Sequence, residues 1–537
     1  MKTNIKTHKK QILFLTIGLG IIILFVIFFP SIRNVYNFRA YLVDNESREL
    51  IISARRNITG SISIPQQMWF LPVVGIKAHA FSQCRKLEAV EIPETIRFIE
   101  LSAFMNCTGL KSITLPQNVT SIGDNAFDGC AFLSSINIPA GVTEINDNTF
   151  DGCTSLESIT LPQNVTYIGK NAFRGCIRLS SINIPTGVTE INDGSFYGCT
   201  SLKSITLPQD VTYIGKNAFR GCIRLSSINI PAGVTEINDD TFYGCISLKS
   251  ITLPQNVTSI GKNAFHNCTY LTSINIPARV REIQEGTFYG CTSLKSITLP
   301  QDVTYIGKNA FRGCFRLSSI NIPARVREIQ EGTFYGCISL KSITLPQDVM
   351  SICKDAFHGC TSLTSITFPE SLKNIYESAF QECSNLSAIT FQGKTNINDH
   401  AFQSCKKIES VCFKVDGCPN HLAFDDCPLL HRKKIKNTDE WWDWLIIQHF
   451  YYSGSDDSMR RSSVSFIGDK ENRKAMIDSH WYDVLDDGIR PDGKFWIKGL
   501  DRELRNMGII FYCEIVVDSE TGELWWYSRN SRFDFKN

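Results

Sequence analysis

Phenylalanine recurs every 23 residues from Phe81 through Phe104 and Phe127 to Phe380, then at intervals of 22 at Phe402 and Phe424, and a cysteine follows each three residues later, from Cys84 to Cys427. A segment this short cannot bury an apolar face alone, so the sixteen units must stack on one another, and the repeat replaces the several domains that a length of 537 would otherwise imply. One unit reads Leu202, Ile205 and Leu207 before Pro208, then Val211, Ile214, Ala218, Phe219 and Cys222. The first three predict a short strand with one face buried, and the proline after it ends strand pairing. Strand beside parallel strand, the units build a solenoid.

The pattern L-x-x-I-x-L-P followed by I-G-x-x-A-F-x-x-C resembles the BspA-like class of leucine-rich repeats over about residues 65–430. The resemblance implies a leucine-rich repeat solenoid on a cell surface or secreted, with adhesion to host proteins as the associated role; fold follows from it more firmly than function. Two departures stand out. Pro65 precedes Phe81 by 16 residues, against 11 between Pro93 and Phe104, and the insertion with Trp69 and Pro72 is expected to cap the open core end. The last two units shorten to 22 and lose the proline, so the stack is expected to end near Cys427.

Residues 12–29 form an uncharged run long enough for a transmembrane helix, preceded by Lys2, Lys6, Lys9 and Lys10. The residues after it lack a small-x-small cleavage pattern, so the run reads as an uncleaved signal anchor, the alternative being a removed signal peptide. The lysine excess places residues 1–11 in the cytoplasm and the repeats outside, with 30–64 as a juxtamembrane linker and the start of the cap. Past residue 430 the repeat vanishes, and seven of the eight tryptophans lie in residues 437–537, which read as a small α+β domain. A helix is expected over 439–452, a loop over 453–463, and a hairpin from strands at 508–518 and 523–528.

Three rows of surface residues are candidates for function. The strand face carries Ser181, Ser204, Ser227, Ser250, Ser273 and Ser296 in one row, and Asn183, Thr206, Asn229, Thr252, Asn275 and Thr298 in the other. It either offers hydroxyls and amides to a polar ligand or keeps a continuous sheet soluble. A side row of Arg174, Tyr197, Arg220, Tyr243, Tyr289, Arg312 and Tyr335 sets cations against rings, worth about 0.5–1 kcal/mol per exposed contact, and also suits a protein interface. Alternate units are more alike than neighbours, giving a 46-residue super-repeat, and the position two after the isoleucine that precedes each unit's buried phenylalanine alternates in sign through Asp147, Lys170, Asp193 and Lys216 to Glu377. This ladder reads as a solvated device for setting register.

The in-register cysteines form a parallel ladder at roughly 4.8 Å, wider than the roughly 3.8 Å that disulfide Cβ atoms require, so they read as a buried row of thiols. Cys353, Cys412, Cys418 and Cys513 fall outside the register, and Cys412 with Cys418 is the nearest disulfide candidate. No paired zinc motif occurs, and no cofactor is expected. Lys+Arg 55 against Asp+Glu 53 leaves a net charge of +2, which argues against a nucleic-acid partner. The reading is a membrane-anchored, non-enzymatic surface protein binding an extracellular protein or glycan. The alternative is an ectoenzyme or carbohydrate-binding protein acting through the Trp-rich domain, where His449, His480, Cys513, Asp483, Asp486 and Asp487 supply reactive groups without a recognisable spacing.

Overall fold

A typical repeat becomes one coil with two short strands and a run of turns. In the computed structural model, which describes residues 37–43, 48–54, 58–408, 410–413 and 423–427 and the backbone of nine strands between 445 and 528, one such coil contains the strands Ser204–Ile205 and Tyr213–Ile214. Leu202, Ile205, Leu207, Val211, Ile214, Ala218, Phe219 and Cys222 all point inward, none more than 4% exposed. Gly175, Gly198 and Gly221, between phenylalanine and cysteine, hold φ of 68°, 72° and 72°, a left-handed backbone that closes the last turn. The chain divides into two compact parts, residues 1–271 and 272–537.

Within each part the coils stack in register. Ser204 and Ile205 pair in parallel with Ser227 and Ile228, one repeat on, while on the second strand row Tyr213 and Ile214 pair with Glu190 and Ile191, one repeat back. The same alternation holds around Ser158 and Tyr167 in the first part and around Ser296 and Tyr305 in the second. Each such coil is thus laddered to one neighbour on the first row and to the other on the second, as bricks are overlapped. This is the structural content of the 46-residue super-repeat. On the turn side bonding continues at every step, with Phe196 N donating to Ala218 O at 2.9 Å and Phe219 N to Thr241 O at 3.0 Å.

Phenylalanine rings fill the centre. Consecutive rings stack nearly parallel at 5.4 Å between Phe104 and Phe127 and at 5.7 Å between Phe219 and Phe242, and in the second part at 5.5 Å for Phe288 and Phe311 and 5.0 Å for Phe402 and Phe424. Beside them runs the thiol row, free and buried, and from Cys107 to Cys268 each thiol donates to a phenylalanine carbonyl 26 residues back, as Cys222 Sγ does to Phe196 O at 3.2 Å.

The N-terminal end differs from expectation. Pairing begins before residue 65: β1 (Phe38–Leu42) and β2 (Leu50–Ala54) form an antiparallel hairpin, β2 lies parallel to β5 (Leu71–Ile76), and β3 (Thr59–Ser63) lies parallel to β6 (Lys86–Glu91). The insertion forms a tight hairpin of β4 (Gln67–Met68) with β5, which turns outward and leaves Trp69 67% and Phe70 95% exposed. Closure comes instead from β1, where Phe38 is buried with its ring edge-on to Phe81 at 6.1 Å. At the far end the strands lengthen to four residues, both at Ser365–Phe368 before Pro369 and at Ala388–Phe391 before Gln392, and Ala388–Phe391 pairs in parallel with Ser365–Phe368 and Ser410–Phe413.

Beyond residue 430 the described backbone is strand. Leu445–Ser453 occupies much of the expected helix and pairs antiparallel with Met459–Ile467, which overlaps the expected loop. β-Branched and aromatic residues, Ile446, Ile447, Phe450, Tyr451 and Tyr452, favour that outcome over the capping signal at 438–439. Cys513–Val517 and Leu524–Ser528 form a hairpin. Residues 12–29, the side chain of Cys412, and Cys418 lie outside the described residues. Among the described residues no helix is long and apolar enough to cross a membrane.

Candidate functional site

Both serine and Thr/Asn rows lie on the first strand row, yet their members do different things. Ser181, Ser204, Ser227 and Ser250 in the first part and Ser273 and Ser296 in the second are exposed. Thr206, Thr252 and Thr298 are exposed as well. The asparagines of the first part are tied inward. Asn183 Oδ1 accepts from Leu161 N at 2.9 Å and its Nδ2 donates to Leu161 O at 2.9 Å; Asn229 makes the same pair with Leu207 at 2.9 and 3.0 Å. Asn321 repeats this with Leu299 in the second part. The backbone ladder stops after two residues, and the asparagine amide satisfies the leucine N–H and C=O that it leaves open. Asn275 is exposed on the same row. The strand face therefore presents its serine and threonine hydroxyls to solvent, while Asn183 and Asn229 are chiefly fasteners.

The face is not flat. A shallow groove of about 510 Å³ is lined by Gln209, Ser227, Asn229, Ala232, Ser250 and Thr252. A second, of about 710 Å³, involves Ser61, Ser63, Ser112, Thr114 and Glu91 nearer the N-terminal end.

The side row is occupied within the fold. Arg174 lies 5.5 Å from the Tyr197 ring centre and 3.9 Å from Asp151; burial pushes Asp151 up to about 6, with Arg174 opposing the shift. Arg220 sits 4.1 Å over Tyr243 and 3.1 Å from Asp240, and His266 stacks on Tyr243 at 4.4 Å. In the second part Arg312 lies between Tyr289 at 5.9 Å and Tyr335 at 3.8 Å, and His358 stacks on Tyr335 at 4.5 Å. These side chains already satisfy one another, which leaves them less free for a partner.

The alternating charges are bonded too. Asp147 and Asp193 accept the backbone N–H of Lys170 and Lys216 in the next coil at 2.7 and 2.8 Å, and Lys216 reaches Asp239 at 3.2 Å. In the second part Lys308–Glu331 and Lys354–Glu377 pair at 3.2 and 2.9 Å. Register is set here by a carboxylate capping a neighbouring backbone group as much as by opposite charge.

Sequence reasoning missed the edge that leads into the strand face. The one or two residues after each cysteine include Phe132, Ile177, Ile223 and Tyr270 in the first part and Phe315 and Ile338 in the second, all 41–61% exposed. The signal was available as apolar residues falling outside the core register.

In the Trp-rich region the sheet order puts the strand of His449 three steps from that of His480, about 14 Å across a sheet, and Cys513 opens a strand of another hairpin. Among the described residues no group of His, Cys, Asp and Glu is placed to hold a metal ion.

Residues 74–203, 189–317 and 304–431 match the BspA type leucine rich repeat region, a family described by six copies of the repeat. The chain belongs to this family. Among solved structures it is similar to a leucine-rich repeat protein from Bacteroides ovatus, with 30% identity over 72% of this chain and 98% of that one and a TM-score of 0.53. It is also similar to a leucine rich cell surface protein from Faecalibacterium prausnitzii, with 33% identity over 57% and 92% and a TM-score of 0.45. No curated protein sequence matches the chain.

Proposed function

We propose that this chain is a membrane-anchored recognition protein that holds its repeats outside the cell and binds an extracellular protein or glycan through the strand face. One observation carries the reading: hydroxyls at Ser204, Thr206, Ser250 and Thr252 stay exposed, without a side-chain hydrogen bond among the described residues, on a face grooved at the same coils. The ladder and side rows, by contrast, consume their polar groups internally. Extended solenoid sheets suit partners that touch many repeats at once. The cell-surface naming of the Faecalibacterium prausnitzii relative and the lysines before residues 12–29 support the placement.

The test has two arms. The full chain is screened against purified matrix proteins and glycans beside a T206K/T252K variant, whose added charge and bulk should weaken binding to any strand-face partner. Protease added to intact cells should remove the repeats and leave the anchor. Undiminished binding by the variant, or repeats protected from protease, would sink the corresponding half of the reading.

A further inference from the structure

Several cations of this protein pair with acids of neighbouring coils, and one edge carries a run of cations with no acid beside them. Along the edge leading into the strand face, Lys111 pairs with Glu88 at 3.0 Å and Arg178 with Glu157 at 3.2 Å. After Glu157 the acids disappear from this edge while the cations continue. In the first part Lys203 and Arg224 follow; in the second come Lys295, Arg316 and Lys341, one per coil in three consecutive coils. All five are exposed, and none makes an ion pair among the described residues.

The geometry of the second part is regular. Ser296 pairs in register with Ser319, and the backbone bonds Ser318 N to Lys295 O and Lys341 N to Ser318 O join the three coils in order. Lys295 and Lys341 therefore stand in one column two coils apart, roughly 10 Å, with Arg316 in the adjoining column between them. Phe315 and Ile338, 46% and 45% exposed, lie beside them. On the far side of the same coils Arg281 and Arg325 share Asp302 at 2.8 and 3.6 Å, so an acid stands among the cations there, whereas the leading edge of these coils carries none.

We propose that this edge, Lys295, Arg316 and Lys341 with Phe315 and Ile338, binds a linear acidic polysaccharide lying along the stack. The proposal rests on the strand-face reading and gives one border of that face a partner class. A line of positive charge one or two side chains wide, advancing by one coil at a time, matches a polymer whose carboxylates or sulfates repeat along its length. Apolar side chains beside the cations offer contact to the carbon faces of sugar rings, and the neighbouring Ser296 and Thr298 offer hydroxyls to theirs. Phe315 is the one aromatic ring among the five residues of this edge, which therefore lacks the succession of stacking platforms that a single-stranded nucleic acid uses.

Binding of the full chain to immobilised heparin, hyaluronate and neutral dextran, read as a function of salt, tests the assignment. The native chain should hold heparin or hyaluronate and release it as salt rises, and should pass over dextran. The variant K295S/R316S/K341S should bind about tenfold more weakly or worse. R281S/R325S/R327S, which removes equal charge from the opposite edge, should bind within about twofold of native. Equal weakening by both variants, or no retention by the native chain, would overturn the site. Duplex DNA held as tightly as heparin, and lost with the same variant, would overturn the polysaccharide class. T206K/T252K adds positive charge and should hold heparin at least as well as native: if it leaves strand-face binding unchanged, the strand-face reading alone fails, and if K295S/R316S/K341S leaves heparin binding unchanged, this one fails.

Discussion

Asn229 and Thr206 occupy equivalent places in consecutive coils, but the first is bonded to both backbone groups of Leu207 while the second faces solvent. Asn229→Ala would leave a part-buried N–H and C=O without their partner and should cost about 1–3 kcal/mol. Thr206→Ala should stay within about 0.5 kcal/mol of native, and urea unfolding of the two variants side by side decides it. If they were equally mild, the fastening role of the asparagines would be wrong. The thiols permit a second test at this scale. Burial, only partly opposed by a backbone hydrogen bond, pushes Cys222 and Cys337 up to about 12. A folded value above the unfolded one means that the unfolded state binds fewer protons in alkali, so this contribution is complete below pH 9 and fades as pH climbs toward 12. Native protein at pH 8 should therefore resist thiol reagents, denatured protein should titrate nearly all its in-register cysteines as free, and the urea midpoint should fall between pH 9 and 11. Finding Cys130 through Cys360 paired as disulfides would contradict the stacked ladder.

The coil is the element, and its bonding predicts how it tolerates deletion. Since coils are laddered alternately on the first and second strand rows, removing residues 204–249 joins Lys203 to Ser250 and restores the same sequence of coil types, whereas removing 204–226 sets two asparagine-bearing coils side by side. The 46-residue deletion should keep a cooperative melt close to native. Deleting 23 residues should lower the midpoint by several degrees, because the clamp of Asn229 meets Ile184 in place of Leu207 and the alternating ladder loses its phase. Periodicity made the coil legible: one phenylalanine and one cysteine per repeat can only mean one buried place per coil. The asparagines were harder, since their alternation with threonine looks like surface chemistry until the two-residue ladder beside Leu161 and Leu207 is seen to leave backbone groups open. Trp69 misled because a large apolar residue in an insertion reads as a plug, while its tight hairpin turns it outward and Phe38 seals against Phe81. Residues 445–453 misled in the opposite direction, with a capping signal just upstream of a run whose side chains favour a strand.

For the whole molecule the question is whether recognition is spread along the repeats or concentrated in one place. Ser204, Thr206, Ser250 and Thr252 offer the same chemistry at the same register, so no single coil looks tuned, and affinity on such a face comes from adding many weak contacts to one partner. Loss of any one hydroxyl should then matter little. Removal of residues 204–249, which leaves the remaining coils stacked because repeat stability is set by nearest neighbours, should weaken the strand-face partner by more than T206K/T252K does, in proportion to the face removed. Binding measured for the full chain, the 46-residue deletion and a chain lacking residues 437–537 distinguishes the cases. The last should bind as the full chain does if the repeats carry recognition. Were its binding abolished while the deletion within the repeats had no effect, the function would lie in the Trp-rich residues, and the exposed hydroxyls of the strand face would serve only to keep an extended parallel stack soluble.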